Sequence, residues 1–279
     1  MPELPEVETI VRQLAPSVPG RRIVKARVFR PDVLREPPDH FRRGVTGATI
    51  RSVTRRGKNV VLVLSHSSVL VVNLGMTGRL LLLRPGVNAG PSHVAVDLSL
   101  ESGDSLLYAD TRRFGRLTLY SAEEWGRESR RLGPEPLGKS LDAEAFHQRL
   151  RGSKAPLRSW LLDQKHLAGV GNIYACEALH QAGIHPLRTA SSLDPRESGR
   201  LLRELRGVLR KAIEARGTTL RDYRTASGEE GGFLPFLQAY GREGKPCPRC
   251  GSPIVRIVFS NRSAFLCPIC QPAPPTGTE

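Results

Sequence analysis

Four cysteines near the C-terminus, Cys247, Cys250, Cys267 and Cys270, form the pattern C-x2-C-x16-C-x2-C. Each C-x2-C knuckle presents two thiolates to one ion, and two knuckles complete a closed tetrahedral zinc site. Four thiolates leave no position for water, so one structural Zn2+ per chain is expected. Two disulfides are the alternative, which a reducing cytosol disfavours, and a redox pair fits two such knuckles poorly. Between the knuckles, Ile254–Phe259 and Ala264–Leu266 alternate like strands around Ser260-Asn261-Arg262-Ser263, so the module reads as a β-hairpin. Cys176, the fifth cysteine, lies in a helical stretch and reads as an inert buried thiol.

The other end of the chain holds a second set of reactive groups. Met1-Pro2 predicts removal of the initiator Met, which exposes Pro2 as a secondary amine. An α-amino group titrates well below a lysine ammonium, so far more of it is unprotonated at neutral pH. Such an amine can attack an aldehydic carbon and form an iminium. Glu3 is its neighbour and Glu6 lies one helical turn on, supplying carboxyl partners for proton transfer. On residue types alone, an ordinary acidic helix start is the competing reading.

These groups need elements to hold them. Residues 5–15 read as an amphipathic helix, with Val7, Ile10, Val11 and Leu14 on one face and Pro5 in its first turn. Short strands follow at Ile23–Phe29, Val60–Leu64, Val69–Leu74, Arg79–Leu83, Val94–Leu98, Leu106–Ala109 and Leu117–Tyr120, which suggests a β-sandwich. Gly133-Pro-Glu-Pro-Leu-Gly138 reads as a linker. Beyond it the strong helical pieces are Leu157–Asp163, Asn172–Gln181 and a long helix opened by Asp194-Pro195-Arg196-Glu197 and closed by Gly217. The expected division is a β-sandwich over 1–132, a linker over 133–140, a helical domain over 141–245, the zinc module over 246–270 and a disordered tail over 271–279.

Charge points to the partner. The chain has 279 residues with 42 Lys+Arg against 27 Asp+Glu, a net +15, and its basic residues are 35 Arg and only 7 Lys. Arginine binds phosphate in a bidentate way and stacks on bases, so this excess fits nucleic acid. A GC-rich genome would favour Arg over Lys, but it would not produce the net charge. No apolar run approaches a membrane span, and MPELPEVETI lacks the pattern of a secretory signal. A soluble, cytoplasmic protein with a polyanionic partner and no membrane partner is expected.

Six motifs occur in one order: PELPEVET at 2–9, LGMTG at 74–78, RRFG at 112–115, LGPEPL at 132–137, LLDQ at 161–164 and GVGNIYACEAL at 169–179. With the terminal cysteine pattern they resemble the formamidopyrimidine-DNA glycosylases over roughly residues 2–270. That resemblance implies an α+β multidomain fold: a β-sandwich with flanking helices, a helical domain with a helix–two-turn–helix, and a C-terminal β-hairpin zinc finger. The activity it implies, carried out by a monomer at the nucleoid, is excision of 8-oxoguanine and formamidopyrimidines from double-stranded DNA, followed by strand cleavage through β,δ-elimination. Pro2 would attack deoxyribose C1′, with Glu3 as general acid/base and Glu6 in support. Lys58 would reach the phosphate beside the lesion. Met76, Arg112 and Phe114 would fill the gap left by the flipped nucleotide. Asn172, at a helix start after Gly169-Val-Gly171, and Arg262 on the hairpin would each hold phosphate.

The sequence departs from the family's usual pattern at Asn73, Thr111 and Arg158, where His, Pro and Lys are commoner. Thr218–Phe233, with three glycines, would be a flexible loop over the flipped base. Two rivals remain at this stage. An endonuclease VIII type enzyme would remove oxidised pyrimidines by the same chemistry, but it usually begins PEGPE, whereas Leu4 is present here. A non-catalytic zinc-ribbon DNA-binding protein would leave Pro2 and Glu3 incidental.

Overall fold

A computed structural model describes residues 2–86, 91–259 and 261–274. Met1, Ser260 of the hairpin tip and residues 275–279 of the expected tail lie outside the described residues. The chain forms two compact units, one of residues 1–131 and 212–234, the other of 132–211 and 235–279.

The first unit opens with α1 (Leu4–Leu14), whose apolar stripe is buried, and continues into β1 (Ile23–Val28), α2 (Pro38–Val45) and β2 (Ile50–Arg56). Six more strands follow: β3 (Asn59–Leu64), β4 (Ser68–Asn73), β5 (Gly78–Leu83), β6 (Val94–Leu100), β7 (Ser105–Asp110) and β8 (Arg116–Ser121). They make two antiparallel four-stranded sheets, ordered β1-β6-β7-β5 and β2-β3-β4-β8. One apolar cluster, including Ile23, Leu62, Val72, Val96 and Leu106, joins both sheets and α1, as expected of a sandwich. Strand β2 was missing from the pattern because a bulge between Ile50 and Ser52 places its inward residues, Ile50 and Val53, three apart. Helix α3 (Ala122–Arg130) was also missed: it buries no residue, and its only sequence signal is the Ser121/Glu124 capping box.

The second unit holds α4 (Ala143–Arg151), α5 (Leu157–Leu162), α6 (Asn172–Ala182), most of α7 (Pro195–Glu214) and the hairpin β9 (Val255–Phe259) and β10 (Arg262–Leu266). Residues 133–140 are not a free linker. The N–H of Gly133 donates to Gln164, that of Ala168 donates to Pro134, and the Arg206 guanidinium donates to the carbonyls of Pro136, Gly138 and Leu141. Gly and Pro break the helical pattern there, but an arginine on α7 satisfies the carbonyls that no helix pairs. Residues 212–234 join the first unit rather than the helical one. Gln271 is no tail residue either. It is fully buried, accepting from the N–H of Cys267 and donating to the carbonyl of Ile184. No helix among the described residues is long and apolar enough to cross a membrane.

Candidate functional site

In the first unit, Glu3 and Glu6 close the start of α1 as a reciprocal capping box. Both carboxylates are buried, at 2% and 1% exposure. Glu6 spends its two oxygens on backbone: Oε2 accepts from the N–H of Glu3 at 2.8 Å, and Oε1 from the N–H of Thr218 at 2.8 Å. The helix N-terminus also favours a negative charge here. Glu6 therefore fixes the backbone that carries Pro2 and Glu3. Burial pushes the Tyr223 phenol above its usual range, so it stays protonated, with the carbonyls of Glu6 and Arg216 at 3.3 and 3.1 Å.

Residues 218–233, expected as a flexible loop, are fastened to α1 and β5. Besides the Glu6–Thr218 bond, Arg79 donates to Asp222, Ala226 N–H to Gln13 and Leu82 N–H to Ala226.

Lys58 sits in the two-residue turn Gly57-Lys58 between β2 and β3. Arg55 holds that turn to α1, bonding the carbonyl of Gly57 at 2.9 Å and the Glu8 carboxylate at 3.0 Å. Burial raises the Glu8 pKa, but the ion pairs with Arg55 and Arg12 outweigh it and hold the carboxyl below its usual 4.5. A depressed carboxyl pKa stabilises the fold above the unfolded value and loses that contribution as pH falls through the folded one. Glu8→Gln is thus expected to cost up to about 1 kcal/mol at neutral pH. In denaturant titrations the difference from wild type should vanish below the folded-state pKa of Glu8; a pH-independent difference would exclude the ion pairs as its source.

Met76, Arg112 and Phe114 come together. They are exposed, Met76 at 40% and Phe114 at 55%, and Arg112 bridges them. Its Nη1 lies 3.4 Å from the Met76 sulfur, and its guanidinium carbon lies 4.5 Å from the centre of the Phe114 ring. The device that joins their loops was not legible in the sequence. It is Asp110, at the end of β7 and 2% exposed. Its carboxylate accepts from the Thr77 hydroxyl, the Tyr108 hydroxyl, and the N–H groups of Arg112 and Gly115.

The backbones of the two loops also meet: a Cβ on Gly75, whose φ is +56°, would stand 2.5 Å from the Gly115 nitrogen. Asn73 supports the same turn, accepting from Gly75 N–H at 3.0 Å and donating to Asn59 at 2.9 Å. Thr111 is exposed.

In the second unit, α5, two turns and α6 follow in the order expected. Gln164 of the LLDQ motif staples the turns, donating to the carbonyls of Leu162 and Val170 and accepting from Gly169 N–H. The N-cap of α6 is Gly171 and carries no side-chain cap, so Asn172 is the first helical residue rather than the cap. Its side chain works laterally. Oδ1 accepts from Arg158 at 2.8 Å, and Nδ2 donates to the carbonyl of Ser263 at 2.9 Å. Arg158, fully buried, also donates to Ser263. Asn172 and Arg158 therefore hold the hairpin beside Arg262, which is exposed at the start of β10. Cys176 is buried, as expected of an inert thiol.

The sulfurs of Cys247, Cys250, Cys267 and Cys270 lie within 4.8 Å of one another, and none forms a disulfide. Backbone N–H groups of Arg249 and Cys270 point at the sulfurs of Cys247 and Cys267, each at 3.4 Å. Four converging thiols with N–H donors on the sulfurs fit Zn2+. The hairpin's own core is small, chiefly Ile254 with two of the cysteines.

Comparison with known proteins agrees across the chain. Residues 1–117 match the formamidopyrimidine-DNA glycosylase N-terminal domain, 132–224 the H2TH domain of the same enzymes, and 244–273 the zinc finger found in FPG and IleRS. The formamidopyrimidine-DNA glycosylase of Pelotomaculum thermopropionicum is 43% identical over 274 residues, covering 97% of this chain and 99% of the relative. The MutM (Fpg) protein of Thermus thermophilus superposes with a TM-score of 0.87 at 41% identity, over 98% of this chain and 100% of that one. A Lactococcus lactis FPG mutant, solved in complex with a Fapy-dG containing DNA, superposes with a TM-score of 0.91 at 31% identity, over 98% and 100% of the two chains.

Proposed function

The chain belongs to the formamidopyrimidine-DNA glycosylase family, and from that premise we propose that it excises oxidised purines from duplex DNA and then cleaves the strand. It is a bifunctional glycosylase and lyase of base-excision repair that carries one structural zinc ion. The observation that carries this reading is the exposed cluster of Met76, Arg112 and Phe114 on the unit that also holds Pro2 and Glu3.

The residue roles follow from the chemistry. A base inside a duplex must be extruded before it can be attacked, and the space it leaves must be filled. Met76 and Phe114 supply apolar wedges, and Arg112 brings donors for the widowed base. The amine of Pro2, once Met1 is removed, attacks C1′ of the extruded nucleotide as the base departs. The nitrogen loses its proton, the sugar ring opens and an iminium forms. Glu3 protonates the ring oxygen as the C1′–O4′ bond breaks and then takes the C2′ proton, so that the released electron pair expels the 3′-phosphate and the strand breaks. Loss of the C4′ proton expels the 5′-phosphate in turn. Glu6, with both oxygens bonded to backbone, is a positioning residue. Lys58, Arg262 and the first turn of α6 beside Asn172 hold phosphates, consistent with the net charge of +15.

The test uses duplexes carrying 8-oxoguanine, a formamidopyrimidine, an oxidised pyrimidine or an abasic site. Cleavage at the two purine lesions and the abasic site, with little at the pyrimidine, is the expected result. Preference for the oxidised pyrimidine would favour the endonuclease VIII type, and no cleavage at all would leave only DNA binding. In the same assay, Ala at Met76, Arg112 or Phe114 is expected to slow excision of a purine lesion more than cleavage of an abasic site, which is easier to extrude. Equal losses on every substrate would indicate damage to the fold instead.

A further inference from the structure

The zinc module reaches α6 through a contact that the site and its proposed chemistry leave unused. His180, near the C-terminal end of α6, is fully buried, and its Nε2 lies 3.3 Å from the sulfur of Cys247. Its Nδ1 is also buried and has no hydrogen-bond partner among the described residues. That asymmetry assigns the proton of the neutral ring. A proton on Nδ1 would leave a buried donor unbonded and set the Nε2 lone pair against those of sulfur. A proton on Nε2 makes an N–H···S bond and leaves only an acceptor unsatisfied, the cheaper loss.

We propose that His180 is a positioning residue of the zinc centre, donating its Nε2–H to the Cys247 thiolate and tying the metal to α6. Cys247 is 3% exposed, so its thiolate depends on donors from the protein in place of water. It receives two: the backbone N–H of Arg249 from its own knuckle, and the imidazole from outside the module.

Neighbouring contacts point the same way. The Arg249 side chain donates to the carbonyl of His180 at 2.9 Å, and Gln271 donates to the carbonyl of Ile184 at 2.9 Å. Those bonds hold the end of α6 against the knuckles through backbone carbonyls, whereas His180 reaches a ligand atom with its side chain. Outer partners of this kind, when removed, typically cost about 10–100-fold in metal affinity.

The experiment compares wild type, His180→Phe and His180→Gln as full-length protein. Phe keeps an aromatic ring without the donor, whereas Gln offers an amide N–H at a similar reach. Zinc affinity is measured by competition with a chromophoric chelator, and the sulfur-to-metal charge-transfer bands are read after replacement of zinc by Co2+. A hydrogen bond lowers the energy of the sulfur lone pairs, so its loss moves those bands to longer wavelength. His180→Phe is expected to show that shift and about 10–100-fold weaker zinc binding, with His180→Gln recovering most of both. Unmoved bands and an affinity within about twofold of wild type in His180→Phe would overturn the proposal. So would equal zinc loss in both variants with unmoved bands, since that result would assign His180 to packing alone.

Discussion

Borohydride is expected to trap the protein on abasic-site DNA as a covalent adduct that maps to residue 2, and Pro2→Gly to lose most of the excision activity. The reason is the proton inventory of the N-terminus: among amines, the terminal one is the most deprotonated at neutral pH. Glu3→Gln should lower excision and elimination by about 10^2–10^4-fold, the usual range for a positioned acid/base. Binding to lesion-containing DNA should persist, because the amide that replaces the carboxylate keeps an oxygen that can cap α1. An adduct that maps to a lysine would remove Pro2 from the mechanism. Full activity in Glu3→Gln would do the same for Glu3.

The second large effect concerns the metal. If Arg262 neutralises one phosphate, Arg262→Ala is expected to reduce the slope of log affinity against log salt by about one unit. Stripping the zinc should cost more. A hairpin with so small a core should unfold without its ion. Its loss also removes the Ser263 carbonyl from Asn172 and Arg158 at one end of α6. At the other end it removes Arg249 and Gln271 from the carbonyls of His180 and Ile184. Polar groups orphaned away from water typically cost about 1–3 kcal/mol each, so zinc-free protein should bind DNA about tenfold or more weakly than Arg262→Ala. Affinity in the zinc-free protein equal to that of Arg262→Ala would show that α6 keeps its place unaided. Wild-type affinity without zinc would make the module dispensable.

What could be read from the sequence was local. The cysteine knuckles, the Pro2-Glu3 start and the LLDQ turn carry their chemistry within a few residues, so their spacing is informative. The sandwich was legible wherever strands alternate cleanly, and β2 was not, because its bulge breaks the period. The Asp110 hub was illegible for a different reason. It joins Thr77 to Gly115 only through the register of β5 on β7, where Gly78 faces Asp110, and no linear pattern reports that pairing. The extent of the helical domain, read as 141–245, differs for a similar reason: residues 212–234 fall inside that span in the sequence, yet their partners are on α1 and β5.

That last contact sets a clock. Glu6 bonds the N–H of a residue 212 positions later in the chain. At translation rates of about 5–20 residues per second, the first turn of α1 waits roughly ten to forty seconds on the ribosome for Thr218 to appear. A nascent chain that has already completed its sandwich strands still lacks the bond that fixes the backbone behind Pro2 and Glu3. On the roles proposed for Pro2 and Glu3, strand cleavage is then a late product of translation, and a chain stalled before residue 218 lacks the bond that positions them.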